Sequence, residues 1–517
     1  MLKRLRLGRH EPQSWDALFL FAFSLLFFFT WMIRIPTNGD TYTYARSIMT
    51  LEGPLIHLGY FVIGFLLHSF LQLFGISALE TLGCLSVFFG AISVVCMYLL
   101  VLELTQDRFQ GLLAGSILLF SGHFWFFSEH GEVYVPQLGF VLLSLLLMMK
   151  KRPLISSIFF LVAVSVTPTS SLVFPALACV MLWKGYGKKE IAYFVLPIFF
   201  SLLFLLFWDL KRIMNIIGEA VYSPKVFFDS FSYKALFMKL CYDTVKVYGK
   251  AFNIFSLVAL VGFVLLYREN RKIWIMVLVF CAPFSLYLLN LGLISGDHLI
   301  LTFAVISFLA SYAVSRVVHL NKRFLASKYL VVLALLCMHG MASYSLFIGP
   351  EIRDSKELER VMMDLSRDYR DNEIMIADYN FGMAFWYLMK NERDFFLLTG
   401  RPNRYLEQRY NEDKEYLRRL ERRFWINLPH LAGFFSLAES KGVVDGRRVY
   451  YVDRSDWPTR IVRHLLTDKD LEKRKLKIPK LKGPQAYFGK KTGERIEFVK
   501  IIDSPLYPVY LLERTEK

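Results

Sequence analysis

Long apolar runs, broken by short polar or basic segments, fill the chain as far as about Gly349; beyond it the pattern turns amphipathic and alternating. A run of about twenty apolar residues is long enough to cross a bilayer as a helix. Such runs fall from Trp15 to Ile33 and near 81–103, 110–127, 133–149, 153–167, 169–183, 190–208, 251–267, 273–294, 298–317 and 328–347, roughly eleven spans in all. A further run, PLIHLGYFVIGFLLHSFLQLFG at 54–75, is apolar enough to span, to lie in the interface or to re-enter the membrane. After Gly349, SKELERVMMDLSRDYR and KEYLRRLERRFW are amphipathic at a helical period, and EIMIADYN, GRRVYYVD and ERIEFVKII read as strands. The pattern predicts an α-helical polytopic membrane protein with about eleven transmembrane helices and interfacial helices in its first outer loop. A small C-terminal α/β soluble domain follows, with boundaries at 1–349 and 350–517.

Charge orients this arrangement. The basic start MLKRLRLGRH precedes the first apolar run, and no small-residue cleavage site follows it, so the run reads as a retained signal anchor with a cytoplasmic N-terminus. If 54–75 does not span, the inside loops carry Lys150, Lys151 and Arg152, then Lys184, Lys188 and Lys189, then Arg268, Arg271 and Lys272, then Arg316, Lys322, Arg323 and Lys328. Counting 54–75 as a span would reverse all of these against the positive-inside rule, which favours the interfacial reading. The C-terminal domain then lies outside the cytoplasm, in the periplasm or the extracellular space, and a bacterial inner membrane is the expected location. The basic run Lys473–Lys482, with Pro479 and Pro484, reads as a solvated loop near lipid headgroups.

Composition adds limits. With 55% hydrophobic residues and a mean hydropathy of +0.40 the chain is too apolar for a soluble fold, and the net charge of +17 belongs largely to topology-setting loops rather than to a nucleic-acid partner. The six cysteines (Cys84, Cys96, Cys179, Cys241, Cys281 and Cys337) form no CxxC pair and read as buried small hydrophobes. P-loop, GxGxxG, HExxH and GxSxG patterns are absent, which removes the usual sequence support for ATP hydrolysis, dinucleotide use, zinc proteolysis and lipase chemistry.

Acidic clusters in the outer loops carry the candidate chemistry: Asp40 in NGDTYTYARSI, Glu129 and Glu132 in SGHFWFFSEHGEVY, and Asp297 beside His298 in SGDH. A carboxylate there can take a proton from an acceptor hydroxyl whose oxygen attacks a polarised carbon. Asp40 is the leading base, and an N-cap of the following helix is the equal alternative. Glu129 and Glu132, three apart, share a face if a helix has begun, and orient an acceptor or a metal; a solvated helix-entry turn explains them as well. Tyr134 and Trp125 suit either a wall for a sugar or an interfacial aromatic belt. Asp297 and His298 suit a phosphate contact or a proton relay, or else a cap with an interfacial histidine. Arg46, His57, Lys211 and Arg212 are candidates for an anionic lipid headgroup, with snorkelling the plainer reading of the last two. No cofactor is predicted, and a divalent metal is left open.

The outer-loop Asp after the first helix, the apolar interfacial segment and the later acidic motif together resemble the glycosyltransferase C superfamily. GDTYTYARSI followed by PLIHLGYFVIGFLLHSFLQLFG is similar to the bacterial family related to protein O-mannosyltransferases, whose first loop reads Gly-Asp-Ser-Gly-Glu before a Pro-Gly-Tyr-Pro-type helix start. FWFFSEHGEVYVPQLGFVLL resembles its Phe-Trp and Glu-Val-Tyr segment, and IADYNFGMAFWYL its Gly-Asp-Asn-Asp and Trp-Tyr-Leu stretch. The resemblance implies a polyprenyl-phosphate-linked sugar as donor, mannose being one candidate, and a protein Ser/Thr or glycolipid hydroxyl as acceptor. It implies Asp40 as the catalytic acid of the family, Glu132 as the second acidic position with Tyr134 beside it, and inversion at the sugar carbon. Tyr42 and Tyr44 stand where the family has small or acidic residues, and TPTS at 167–170 replaces a His-containing turn. A transporter or flippase of a lipid-linked substrate is the rival reading; it would place its acids at mid-membrane in related halves, and no such halves are evident.

Overall fold

The computed structural model describes residues 11–51, 57–201, 233–291, 299–319, 325–368, 374–388, 395–399, 424–427, 449–452, 495–502, 504 and 509–515. The chain divides into two compact units, one of Met1–Arg34 and Tyr44–Pro350, the other of Ile35–Thr43 and Glu351–Lys517. Ile35–Thr43, expected with the membrane half, thus belongs with the C-terminal residues.

The first unit is a helical bundle and an integral membrane domain. It contains α1 (Glu11–Trp31), α3 (Leu58–Leu71), α4 (Ala78–Thr105), α5 (Arg108–Leu119), α6 (Gly122–Glu129), α7 (Tyr134–Met149), α8 (Pro153–Val166) and α9 (Phe174–Trp183). Later come α10 (Tyr233–Phe252), α11 (Ile254–Glu269), α12 (Arg271–Leu291), α13 (Ile300–His319) and α14 (Leu325–Ser343). α2 (Gly39–Thr50) runs from the second unit into the first. α4 is apolar on all sides, as a central helix must be, and is mostly buried. α1 instead turns Trp15, Leu18, Phe19 and Leu26 outward, the apolar face that lipid requires.

α1 and α4 pack antiparallel. Tyr98 donates to Asp16, Phe21 meets Phe88 edge-on, and the faces of Gly90 and Gly83 lie against Phe28 and Met32, so residue numbers fall on one helix as they rise on the other. An odd crossing between them would have made them parallel, so the α3 segment adds none. With 14 residues α3 is about 21 Å long, short of the roughly 30 Å hydrocarbon layer.

One end of the bundle is tied by polar pairs. Arg108 grips Asp16 at 2.5 and 2.6 Å, Lys184 meets Glu103 at 3.1 Å, and Arg316 meets Glu269 at 2.7 Å. Asp107, the N-cap of α5, accepts from Gln110 N–H, from Ser315 at 2.5 Å and from His319 at 3.3 Å. Lys151 lies over the Tyr186 ring. The four basic loops and the start of α1 therefore gather at the same end.

Among the described residues four helices are long and apolar enough to cross a membrane, or six if each of two bent pairs is one span, so the expected eleven are not reproduced. The run at 110–127 is α5 and α6, bent by 63° where Ser121 takes an extended backbone. α10 and α11 bend by 108° at Asn253, whose φ of 51° lies in the left-handed region. Hydropathy averaged over a span conceals such breaks, because one to three small or polar residues barely change the mean of a long apolar run. The α11–α13 crossing is close: a Cβ on Gly262 would fall 1.9 Å from the Leu309 carbonyl oxygen. Of the cysteines, Cys96 is buried but Cys241 and Cys337 are exposed on the bundle's apolar exterior, which corrects their reading as core residues.

In the second unit, α15 (Gly349–Asp368) enters from the bundle and α16 (Tyr379–Leu388) follows β1 (Ile374–Asp378). The sheet continues with β2 (Phe395–Thr399), β3 (Phe424–Asn427), β4 (Val449–Val452), β5 (Arg495–Ile502) and β6 (Val509–Thr515), in the order β3-β2-β1-β4-β6-β5. β3, β2, β1 and β4 are parallel, and β6 pairs antiparallel with β4 and β5. Ser504 donates to Glu357 at 2.6 Å and so joins the last strands to α15. Most of KEYLRRLERRFW and all of Lys473–Lys482 lie outside the described residues.

Candidate functional site

Within the bundle, the end opposite the ion pairs holds buried acids. α6 ends at Glu129 and α7 starts at Tyr134, so Glu132 sits in the intervening turn, its N–H donating to His130 O at 2.8 Å. The two glutamates do not share a helix face, and the solvated-turn alternative fails: Glu129 is 0% and Glu132 1% exposed. Trp125 Nε1 donates to Glu129 Oε1, one turn on along α6. Trp125 itself packs against Trp31, Phe27 and Tyr344. It is therefore a buried partner of a carboxylate, neither belt nor open wall. Tyr134 is half-buried and meets Phe127 edge-on.

Ser86 on α4 donates to the Glu132 backbone carbonyl at 3.5 Å, and the buried Tyr60 hydroxyl lies within electrostatic reach of the Glu132 carboxylate. Tyr60, at the start of α3, belongs to a ring cluster with Tyr44, Phe61 and His57. The cluster gathers because Gly59 lets α3 lie against α8: a Cβ there would strike Ser165 Oγ at 2.0 Å. His57 Nδ1 bonds Val166 O at 2.8 Å. A carbonyl only accepts, so Nδ1 carries hydrogen, and the neutral ring keeps Nε2 as its acceptor. The adjoining TPTS turn begins a 3₁₀ segment, and Thr169 accepts from Gln137 on α7 at 2.8 Å. Tyr60, Ser86, Gln137 and Thr169 have no role assigned from the sequence, although all but Ser86 fall within stretches that carry the resemblance or its departures.

Asp40 belongs to the second unit. α2 begins at Gly39, and the Asn38 side chain accepts the Asp40 N–H at 3.2 Å, so Asn38 performs the capping role considered for Asp40. Asp40 stands in the first turn, half-buried, where the helix dipole favours a carboxylate. Its segment is pinned: the Tyr42 hydroxyl donates to Pro36 O at 2.8 Å, and Tyr42, wholly buried, packs on Tyr387. Glu351, in the first turn of α15, accepts the Thr37 N–H at 2.9 Å and has Thr37 Oγ1 at 2.8 Å from both carboxylate oxygens. Hydrogen bonds to a buried charged group contribute about 1.5–3 kcal/mol each. Arg46 rides the same helix six residues on from Asp40, off the i,i+4 stripe, so the two project from different faces. Asp297, His298, Lys211 and Arg212 lie outside the described residues. Among the described residues no three His, Cys, Asp or Glu side chains converge as metal ligands.

No family model and no curated protein matches the chain. Its fold, however, is similar to that of two solved structures. Over 97% of its length it is similar to the crystal structure of ArnT from Cupriavidus metallidurans bound to undecaprenyl phosphate, covering 97% of that chain at 10% identity with a TM-score of 0.53. Over 87% it is similar to an oligosaccharyltransferase from Archaeoglobus fulgidus tethered to an acceptor peptide containing the NVT sequon, covering 70% of that chain at 11% identity with a TM-score of 0.53.

Proposed function

We propose that the protein is a membrane glycosyltransferase that passes a sugar from a polyprenyl-phosphate carrier to an acceptor hydroxyl on the non-cytoplasmic face. The observation that carries this reading is the likeness, along 97% of both chains, to a protein crystallised with undecaprenyl phosphate. Asp40 takes the proton of the acceptor hydroxyl as its oxygen bonds the anomeric carbon. The bond from that carbon to phosphate oxygen breaks, its electron pair leaves with polyprenyl phosphate, and displacement from the opposite face inverts the centre. Glu132 orients the acceptor, and Arg46 and His57, the latter when protonated, hold the phosphate. The narrower membership in the bacterial O-mannosyltransferase-like family, with mannose as sugar and a protein Ser/Thr or glycolipid as acceptor, is part of the proposal. So are a cytoplasmic N-terminus and a bacterial inner membrane.

The test incubates the purified full chain with undecaprenyl-phosphate mannose and either a Ser/Thr-rich peptide or a glycolipid acceptor, comparing wild type with Asp40→Asn. Transfer by wild type and its loss, on the order of 100-fold or more, in the variant is expected. Equal transfer by both would remove Asp40 as base, and movement of the carrier across a vesicle without transfer would turn the reading to a flippase.

A further inference from the structure

We propose that Glu351 is a positioning residue for Asp40: its carboxylate, fixed at the start of α15, holds the segment that presents the base through Thr37, three residues before it. This rests on the reading of Asp40 given above. The geometry is specific. Thr37 and Glu351 are 314 residues apart in sequence, yet both the N–H and the hydroxyl of Thr37 bond the one carboxylate, and both residues are buried. From Thr37 the chain passes directly into the Asn38 cap and the first turn of α2, with Tyr42 closing back on Pro36. A displacement at Thr37 is therefore passed to Asp40 through a short, internally bonded segment with little slack. A carboxylate suits the task because it accepts from two donors at once while standing at the positive end of α15. By this route a C-terminal residue sets the geometry of the proposed base.

The competing account is that Glu351 serves only the start of α15. Full-length Glu351→Ala, Glu351→Gln, Thr37→Val and Thr37→Ser proteins separate the two by transfer kinetics with undecaprenyl-phosphate mannose and by hydrogen exchange of residues 36–43. Glu351→Ala and Thr37→Val should each lower kcat about 10- to 100-fold with KM for the donor changed less than about 2-fold, and should speed exchange across 36–43. Thr37→Ser, which keeps both donors, should restore wild-type kcat and exchange, and Glu351→Gln, which keeps an acceptor oxygen, should fall between. Unchanged exchange of 36–43 in Glu351→Ala overturns the proposal whatever the activity, as does faster exchange with wild-type kcat. If the wild type transfers no sugar while Glu351→Ala and Thr37→Val still speed exchange at 36–43, the hold of Glu351 on the segment stands and the transferase reading falls.

Discussion

The two ends of the helical bundle use charge in opposite ways. At the end with the basic loops, Asp16 with Arg108, Glu103 with Lys184, Asp107 with His319 and Glu269 with Arg316 are paired near the surface, and half of Arg108, Arg316 and His319 is open to solvent. Such pairs fasten helix ends at small gain, typically below about 1 kcal/mol. At the other end Glu129 and Glu132 are wholly enclosed. Burying a carboxylate costs several kcal/mol unless its surroundings compensate, and neutral residues of like volume would serve packing as well or better. The first end is therefore built for cohesion, whereas the second encloses costly groups that packing alone does not require.

The sharpest test of the contrast is Glu132→Gln. We expect sugar transfer to fall on the order of 100-fold while thermal stability is kept or raised, since a buried charge is removed; a fall in Tm with transfer intact would make Glu132 a structural acid. Next in size is Trp125→Phe, which takes the indole donor from Glu129 and should cost about 1–3 kcal/mol, read from unfolding in detergent. An unchanged stability would mean that Glu129 does not depend on that bond. Arg108→Ala at the opposite end should cost about 1 kcal/mol or less and leave transfer untouched, and a large loss of activity there would abolish the distinction between the ends.

The smallest effect is one of pH. Burial raises the Asp107 carboxyl, but hydrogen bonds from Ser315, the Gln110 N–H and His319, with the charge of His319, outweigh it and hold the group below its ordinary value. A depressed carboxylate contributes stability above the unfolded value, and that contribution is lost as pH falls through the folded one. Stability should therefore slope downward below about pH 4, and Asp107→Asn should flatten the slope. An identical acid profile in the variant would show that the cap does not titrate with folding.

The membrane class was legible because lipid demands long apolar runs, and the common end of the basic loops was legible because Lys and Arg avoid crossing. The bend at Ser121 had only a short signal, Ser121-Gly122-His123, which the apolar residues on both sides outweigh in a span-length window. Asp40 was singled out by its place after the first helix, while the capping alternative weighed for it falls to Asn38, two residues earlier, since both are good capping types. Glu351 had a weak signal, an acid just after Gly349-Pro350 where the polar region begins. Its partner Thr37 had none.

What the sequence alone determined is the solvent each stretch prefers: apolar runs for lipid, basic loops for one side, a polar C-terminal region, and acids at helix ends away from those loops. These follow from transfer free energies that each residue carries with it, whatever its neighbours. Only the tertiary structure decided that Glu132 is sealed beside Tyr60 and Ser86, and that Thr37 bonds Glu351, 314 residues on in the chain, with residues 35–43 in the same unit. Those are pairings between distant segments, and a hydrogen bond or a buried charge is specified by which groups meet, which no single segment encodes.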